Sequence, residues 1–321
     1  MNPNRRDFGK LALGALPAAG LLNPGWLFAT PNSKFAGVQI GTITYSFKND
    51  VKKPDEIIPN LVKIGLSSVE LMSDDCERMA GAQPIPNFGF GVKLTPEQQA
   101  VVDEGRRKRV AWRKATTPAT FERVHKMFTD AGIHLDLLCY NMAQNIEDDE
   151  IDHAFRMARA LKVHAISSTS TVAVARRVAP VADQYKIVWG GHNHTAVNDP
   201  NEFASLDSFE TILSLSKYIG ANLDIGHMTA ANLDAVAFIQ KNHARITNLH
   251  LKDRKKNNGP NMPWGQGETP IKEVLQLVRK EKYSFPANIE FEYPVPAGSS
   301  SPAEIAKCLA FAIAVLGRAR E

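Results

Sequence analysis

Cysteine is scarce in this chain of 321 residues, and the three copies, Cys76, Cys139 and Cys308, lie far apart. An odd number of cysteines without short spacing gives neither a disulfide framework nor a zinc-finger site. We therefore expect three buried thiols that pack as small apolar side chains.

A strong charge of either sign is also missing, since 38 Lys and Arg against 34 Asp and Glu leave a net charge of +4. Arg5, Arg6 and Lys10 against Asp7 contribute +2 of this charge, which leaves about +2 for the rest of the chain. So weak a charge argues against nucleic acid as a partner and fits a small, neutral or mildly anionic ligand. The hydrophobic share of 44% is that of an ordinary globular domain.

No apolar run reaches the roughly 18 residues that a membrane-spanning helix needs. The run at residues 11–22 is shorter, and Arg5, Arg6 and Phe8 precede it in the layout of a twin-arginine export signal. We interpret residues 1–30 as this signal segment and expect export to the periplasm, with no membrane span in the mature chain. A basic N-terminal helix is the alternative. The cleavage site stays open because residues 27–29 fit a small-x-small site poorly.

From residue 35 onward, short apolar or β-branched runs alternate with segments of helical period. The predicted strands are 38–47, 68–72, 134–140, 165–169, 187–192, 221–225, 246–251 and 287–291. Predicted helices include 55–64, 118–131, 148–161, 206–218, 233–242, 271–280 and 302–316. We expect Gly65, Gly132 and Gly220 to end helices in a left-handed conformation. Eight such pairs predict an α/β fold, a single-domain (β/α)8 TIM barrel over residues 35–317.

One long insert interrupts the alternation at residues 73–117. It contains a Gly/Pro-rich piece at 81–91 and a basic helical stretch at 106–114, and we expect it to overhang the barrel mouth. A solvated helix face or lid is the first interpretation of the basic stretch, a contact to an acidic partner is the second, and a nucleic-acid patch is the third.

Polar residues at the carboxyl ends of barrel strands are the expected catalytic positions. The last four predicted strands all end in imidazoles and carboxylates, namely His192, His194, Asp224, His227, His250, Glu290 and Glu292. Burying such groups costs free energy unless they are paired or bind a cation. Mixed His and carboxylate ligands without thiolate suit one divalent metal ion, Mn, Co, Mg, Fe or Zn.

Four motifs resemble the xylose isomerase-like family of sugar isomerases, epimerases and dehydratases, whose fold also occurs in endonuclease IV-type enzymes. They are Leu-Asp-Ile-Gly-His-Met at 223–228, His-Leu-Lys-Asp at 250–253, Trp-Gly-Gln-Gly-Glu at 264–268 and Ile-Glu-Phe-Glu-Tyr at 289–293. The resemblance implies one metal ion held by Asp224, His250, a Glu of the eighth strand and a residue of the fifth strand. It also implies that His227 and a neighbour of the fifth-strand ligand contact substrate hydroxyls.

Two ligand assignments need argument. Glu290 and Glu292 lie on the same strand face, and the family's spacing from a similar Tyr, here Tyr283, favours Glu290 as the ligand. On the fifth strand the family usually has Glu, whereas this sequence has Gly-Gly-His, which makes His192 the replacement ligand. The predicted metal set is therefore His192, Asp224, His250 and Glu290.

The resemblance and this departure from it predict an isomerase or epimerase that abstracts a proton next to the metal-polarised carbonyl of a keto-sugar. The predicted catalytic residues are His194, His227, Glu290 and Glu292, with neutral imidazole suited to proton transfer near pH 7. A lyase or dehydratase that eliminates a group from a 3-keto-glycoside or an inosose is the main alternative. A non-catalytic sugar-binding protein and an endonuclease IV-like hydrolase are further alternatives, but the latter needs more ligands and a basic face.

The predicted substrate-binding residues are Glu70, His194, His227, Lys252 and Trp264. Each of three of these residues has a structural role as its alternative. Glu70 would form a surface salt bridge, Lys252 would pair with Asp253, and Trp264 would only pack against its neighbours. Export argues against a sugar phosphate, so we expect a free or glycosidic sugar as the small-molecule partner. A homo-oligomer is compatible with the sequence.

Overall fold

Eight parallel strands close into a ring in the computed structural model, which describes residues 30–88 and 92–317. A two-residue strand, β1 (Lys34–Phe35), pairs antiparallel with the first barrel strand. The barrel strands are β2 (Val38–Ile43), β3 (Ser68–Met72), β4 (His134–Cys139), β5 (Ala165–Thr169), β6 (Val188–His192), β7 (Ile219–Asp224), β8 (Ile246–Leu251) and β9 (Ala287–Ile289). Each strand pairs with the next, and β9 returns to β2 with Ala287 opposite Ile40. The predicted (β/α)8 barrel is confirmed.

Helices surround the ring and cover its outer face with apolar side chains. They are α1 (Ile57–Ile64), α2 (Ser73–Met79), α3 (Pro96–Ala115), α4 (Pro118–Asp130), α5 (Asp148–Leu161), α6 (Val172–Tyr185), α7 (Leu206–Leu213), α8 (Ile225–Ala230), α9 (Ala235–Asn242), α10 (Ile271–Glu281) and α11 (Ser301–Leu316). The three cysteines are buried free thiols, as expected. Among the described residues, no helix is long and apolar enough to cross a membrane. Residues 1–29 of the predicted signal segment lie outside the described part of the chain.

Two predicted elements are shorter than the sequence indicates by four residues or more. β2 ends at Ile43, and residues Thr44–Phe47 form a 3-10 turn in which the Thr44 hydroxyl donates to Asp75 Oδ2 at 2.7 Å. The helix predicted at 206–218 ends at Leu213, although Leu215 and Tyr218 still pack against the core. Apolar loop residues therefore extended the helical pattern beyond the helix.

The expected helix-ending glycines behave in two ways. Gly65 ends α1 with φ 89°, and Gly132 follows α4 with φ 71°, so both have the left-handed backbone that glycine favours. The prediction for Gly220 is wrong, because this residue lies inside β7. There a Cβ atom would stand 2.7 Å from the Arg245 carbonyl oxygen, so the position requires glycine for close strand packing.

The insert at 73–117 is more regular than predicted, since it holds the helices α2 and α3. Thr95 and Gln98 form a capping box that begins α3. Two of the basic residues turn inward: Arg109 donates to the buried Glu77 at 2.6 Å, and Arg113 donates to the same carboxylate at 2.6 Å. The basic stretch therefore joins the two helices of the insert to each other.

Candidate active site and metal centre

Four consecutive strands bring imidazole and carboxylate groups to one point at the mouth of the barrel. In register, His192 of β6 lies opposite Asn222, and Asp224 of β7 lies opposite His250 of β8. Glu290 follows β9 directly. The side chains of His192, Asp224, His250 and Glu290 are all buried, and one ligand atom from each lies within 4.8 Å of the others. The structure thus brings together the four residues that the sequence predicts as metal ligands.

Hydrogen bonds to neighbouring side chains leave one nitrogen of each histidine available. His192 Nδ1 donates to Asn222 Oδ1 at 2.8 Å, which leaves Nε2 as the free nitrogen. His250 Nε2 donates to Glu70 Oε2 at 2.7 Å, which leaves Nδ1. Such outer contacts are typical of metal-ligating histidines because they fix the tautomer and the ring orientation.

Two buried acceptor atoms fit a cation. His250 Nδ1 has no hydrogen bond within the described part of the chain and lies 3.3 Å from Glu290 Oε2. A ring nitrogen and a carboxylate oxygen that face each other need a proton or a metal ion between them. Asp224 Oδ2 already has a cation beside it, the ammonium group of Lys252 at 2.8 Å. The donor set of two imidazoles and two carboxylates therefore fits a divalent metal ion.

Lys252 places a positive charge beside these carboxylates. Its Nζ lies 2.8 Å from Asp224 Oδ2, Glu290 Oε2 and Glu292 Oε2, and the side chain is only 2% exposed. Burial lowers the pKa of Lys252, but the three carboxylates raise this pKa by more than burial lowers it. The pKa of Lys252 therefore lies above its ordinary value. The lysine is therefore a permanent cation that faces the cavity.

The alternative pairing of Lys252 with Asp253 is wrong. Asp253 instead accepts hydrogen bonds from the backbone N–H groups of Gly265, Gly267 and Thr269, at 2.8 to 3.1 Å. These contacts fix the loop after β8.

Two further histidines border the site. His227 Nδ1 lies 2.7 Å from Arg254 Nη1, and its Nε2 lies 3.0 Å from Lys252 Nζ. Burial and the charge of Lys252 hold the pKa of His227 well below its usual range. His227 therefore stays neutral, because a cation on either side opposes the uptake of a proton.

His194 is more accessible than His227. Its side chain is 35% exposed, its ring centroid lies 5.1 Å from that of His227, and its Nδ1 lies 3.8 Å from Glu202 Oε2. Burial lowers the pKa of His194. The ring is thus neutral near pH 7 and open to the cavity, as a proton acceptor must be. His192, His194 and His227 also lie close enough to one another to hold a metal ion. Because His192 has only one free nitrogen, it can be a ligand in this group or in the four-residue set, but not in both.

Glu70 is fully buried beside His250. Its carboxylate accepts hydrogen bonds from His250 Nε2 and from the side chains of Ser167, Asn222, Asn248 and Asn288. This geometry favours a positioning role over the predicted contact with a substrate hydroxyl, because protein donors already occupy its oxygens.

The three asparagines of this network were missed from the sequence. Asn222, Asn248 and Asn288 each lie two residues before a predicted ligand, so the alternation of strand side chains points them to the same face. That period of two is the sequence signal that points to these three asparagines.

A cavity of about 980 Å³ is bordered by three of the four predicted ligands, His192, His250 and Glu290. Lys252, His194, His227 and Glu292 line it together with Tyr45 and small polar residues of β5. Trp264, predicted to form a wall, is not among the described lining residues and packs edge-on against Phe311, with 5.8 Å between ring centroids. Tyr45 supplies the aromatic surface instead.

Comparison with known proteins agrees with this architecture. A sequence model described as a xylose isomerase-like TIM barrel matches residues 99–311. The chain belongs to this family. The xylose isomerase-like chain is also 28% identical over 151 residues to the 3-oxo-isoapionate decarboxylase of Pectobacterium atrosepticum, which covers 44% of this chain and 52% of that protein. It therefore spans about half the length of the curated relative that it matches.

Solved structures show the same fold at low sequence identity. The xylose isomerase-like chain matches a sugar phosphate isomerase/epimerase from Parabacteroides distasonis with a TM-score of 0.59 and 16% identity, over 88% of this chain and 96% of that one. The match to the probable 3-DHS dehydratase AsbF of Bacillus anthracis has a TM-score of 0.59 and 15% identity, over 85% of this chain and 99% of that one. The match to the IolI protein with a bound zinc atom has a TM-score of 0.59 and 12% identity, over 87% of this chain and 98% of that one.

Proposed function

We propose that this protein is a divalent-metal-dependent enzyme that moves a proton at the carbon next to the carbonyl of a keto-sugar, as an isomerase or epimerase does. The observation that carries the proposal is the convergence of His192, Asp224, His250 and Glu290 within 4.8 Å, beneath a cavity lined by further acid–base groups. Such a combination is the pattern of a metal-assisted carbon-acid site.

The four ligands would hold the ion, and when bound it would supply polarisation of the substrate carbonyl. Lys252 adds a fixed positive charge at the same wall of the cavity, only 2% exposed to solvent. A buried cation of this kind stabilises negative charge that develops on a carbonyl oxygen, because little water screens it. The zinc atom bound by the IolI protein supports a metal in this fold.

Glu292 and His194 are the candidate bases. Glu292 is 18% exposed, and its carboxylate is held by Lys252 at 2.8 Å and by Lys48 at 3.1 Å. His194 lies on the loop after β6 and is neutral. One base that removes and returns the proton would give isomerisation between neighbouring carbons, whereas return from the second base would give epimerisation. His227 would bind a sugar hydroxyl.

The test is proton exchange in deuterated buffer, followed by ¹H NMR with Mn²⁺ and a panel of free ketoses and 3-keto-glucose. We expect loss of the signal of one C–H next to the carbonyl, with a new isomer or epimer. Asp224→Asn is the control and should show neither. No exchange with any keto-sugar at full metal loading would contradict the proposal.

A second candidate is elimination or another loss of a group next to the same carbonyl. It is favoured by His192, which replaces one of the two glutamates that family epimerases commonly use. The relative named as a 3-oxo-isoapionate decarboxylase also supports chemistry beside a keto group. The same NMR experiment separates the candidates, because a lyase or decarboxylase releases a leaving group or CO₂.

We further propose that the protein acts in the periplasm. Arg5 and Arg6 before the apolar run support twin-arginine export. Sugar phosphates are mostly cytosolic, so an exported enzyme would meet free or glycosidic sugars.

A further inference from the structure

We call the cavity of about 980 Å³ beside the predicted ligands the catalytic cavity. A second cavity adjoins it on the side of the insert. Its volume is about 940 Å³, and it shares Tyr45, Lys48 and Met72 with the catalytic cavity. We call it the side groove. One wall is formed by residues 84–88 with Val92 and Leu94 of the insert, and the other by Val51, Pro54 and Ile57 near the start of α1. Because three residues border both spaces, one ligand can extend from the first into the second.

Between its charged rim residues, the side groove exposes apolar side chains to solvent. Tyr45, Phe88 and Val92 are 36%, 40% and 51% exposed, although large apolar side chains are normally covered. Exposed apolar side chains that cluster along a groove mark a binding site for an apolar group. The aromatic ring of Phe88 favours a planar, aromatic group, whereas Lys48 Nζ covers one face of the Tyr45 ring at 3.5 Å from its centroid.

Contacts within the protein hold both walls in place. Arg109, which is 3% exposed, donates from Nη2 to the Gln83 carbonyl oxygen at 2.8 Å and so fixes the start of the insert wall. Gly105 of α3 lets this wall pack closely, since a Cβ atom there would lie 2.8 Å from Pro86 Cδ. Arg78 donates to the Lys52 carbonyl oxygen at 2.9 Å and joins the insert to the opposite wall. The side groove is therefore preformed, as ligand sites usually are.

The rim of the side groove is more basic than acidic. Its charged residues are Lys48, Lys52, Lys53, Arg78, Arg106, Asp74 and Asp75. Asp75 accepts from Thr44 Oγ1, and Asp74 accepts from Arg109 at 2.9 Å. The two carboxylates are thus engaged with the protein, so the rim also tolerates a phenolic or carboxylated ring.

We propose that the side groove binds an aryl group attached to the sugar, so that the ligand class is an aryl glycoside whose sugar ring occupies the catalytic cavity. The inference rests on the proposed function, since it takes that cavity to hold the keto-sugar. It explains what the insert at 73–117 adds to the barrel: a site for the second part of the substrate.

Binding without turnover tests this inference. Isothermal titration calorimetry of the full chain would compare 4-nitrophenyl β-D-glucopyranoside with methyl β-D-glucopyranoside, neither of which has a carbonyl group to react. We expect the aryl glycoside to bind about tenfold more tightly or better, because its ring is removed from water. Phe88→Ala and Val92→Asp should each remove most of this preference without changing the affinity for the methyl glycoside.

Met127→Ala is the matched control. Met127 lies on α4, is 40% exposed like Phe88, and does not line the side groove, so both affinities should stay unchanged. Equal affinity for the two glycosides, no detectable binding of the aryl glycoside, or a preference that survives both groove variants would overturn the inference. Failure of the proposed function alone would appear differently, as an aryl preference without proton exchange on any keto-sugar.

Discussion

At the scale of single residues, the orientation of His192 and His250 decides what the site can bind. Each ring donates one N–H to a buried side-chain oxygen, of Asn222 in the first case and of Glu70 in the second. The remaining nitrogens, His192 Nε2 and His250 Nδ1, are thereby the ones left to face an ion. Metal affinity in such sites depends on these outer partners nearly as much as on the ligands themselves.

Glu70→Gln tests this dependence. The substitution removes the negative charge that accepts from His250 Nε2 and adds N–H donors where Asn222, Asn248 and Asn288 already donate. We expect metal affinity to fall by about 10- to 100-fold, measured by competition with a chelator. Glu304→Gln is the control, because Glu304 is 2% exposed and does not line the catalytic cavity. Unchanged metal affinity in Glu70→Gln would exclude a positioning role.

Single residues were predicted well where the position on a strand decides the role. His192, Asp224, His250 and Glu290 stand at strand ends, and the ends of parallel barrel strands meet at one mouth. Trp264 and Lys252 stand in or before long loops, where the sequence does not fix the direction of a side chain. Their contacts, with Phe311 and with three carboxylates, depend on distant parts of the chain.

At the scale of elements, the insert is held to the barrel by a buried ion cluster. Glu77 of α2 contacts Arg109 and Arg113 of α3, and Arg113 also contacts Glu150 of α5. Burial raises the pKa of Glu77. The hydrogen bonds from His153 and Arg113 and the charges of both arginines lower this pKa by more than burial raises it, to about 2. A charged Glu77 is thus part of the folded state.

This depressed pKa predicts acid sensitivity. Since the folded pKa of about 2 lies below the unfolded value, the stabilisation is fully present above about pH 4.5 and is lost as the pH falls towards 2. A shift of this size corresponds to on the order of 3 kcal/mol. Glu77→Gln should lower the free energy of unfolding in urea at pH 7, and its difference from the wild type should shrink below pH 4.5. A difference that does not change with pH would contradict this account.

Element boundaries were the weaker part of the sequence prediction. The sequence predicts a strand up to residue 47, yet the chain turns after Ile43 and Phe47 is buried at the end of a 3-10 turn. Gly220 was read as the end of a helix, whereas a strand contact with the Arg245 carbonyl oxygen requires it. In both cases a contact with a distant part of the chain sets the boundary of the element, and the local sequence pattern carries no information about such a contact.

At the scale of the whole molecule, alternation of period two and period 3.6 was enough to predict the barrel. The eight predicted strands all occur, and Ala287 meets Ile40 to close the ring. Closure itself follows from the number of βα units. The substrate does not follow from the fold, because this architecture carries many reactions.

Export of the whole chain is a separate prediction. Replacing both arginines by lysine, in Arg5→Lys with Arg6→Lys, should keep the protein out of the periplasm, because twin-arginine export depends on this pair. Cell fractionation with an antibody against the chain measures the distribution. Asp7→Asn is the control and should still be exported. Equal periplasmic amounts of the double variant and the wild type would rule out the signal.

The central claim is that one cation is held jointly by residues of four consecutive strands. Anomalous diffraction from crystals soaked with zinc tests it most directly. We predict one strong peak about 2.0–2.2 Å from His192 Nε2, Asp224 Oδ2, His250 Nδ1 and a Glu290 oxygen, absent from Asp224→Asn crystals. Zinc bound only by other residues, or no peak at this mouth of the barrel, would contradict the account.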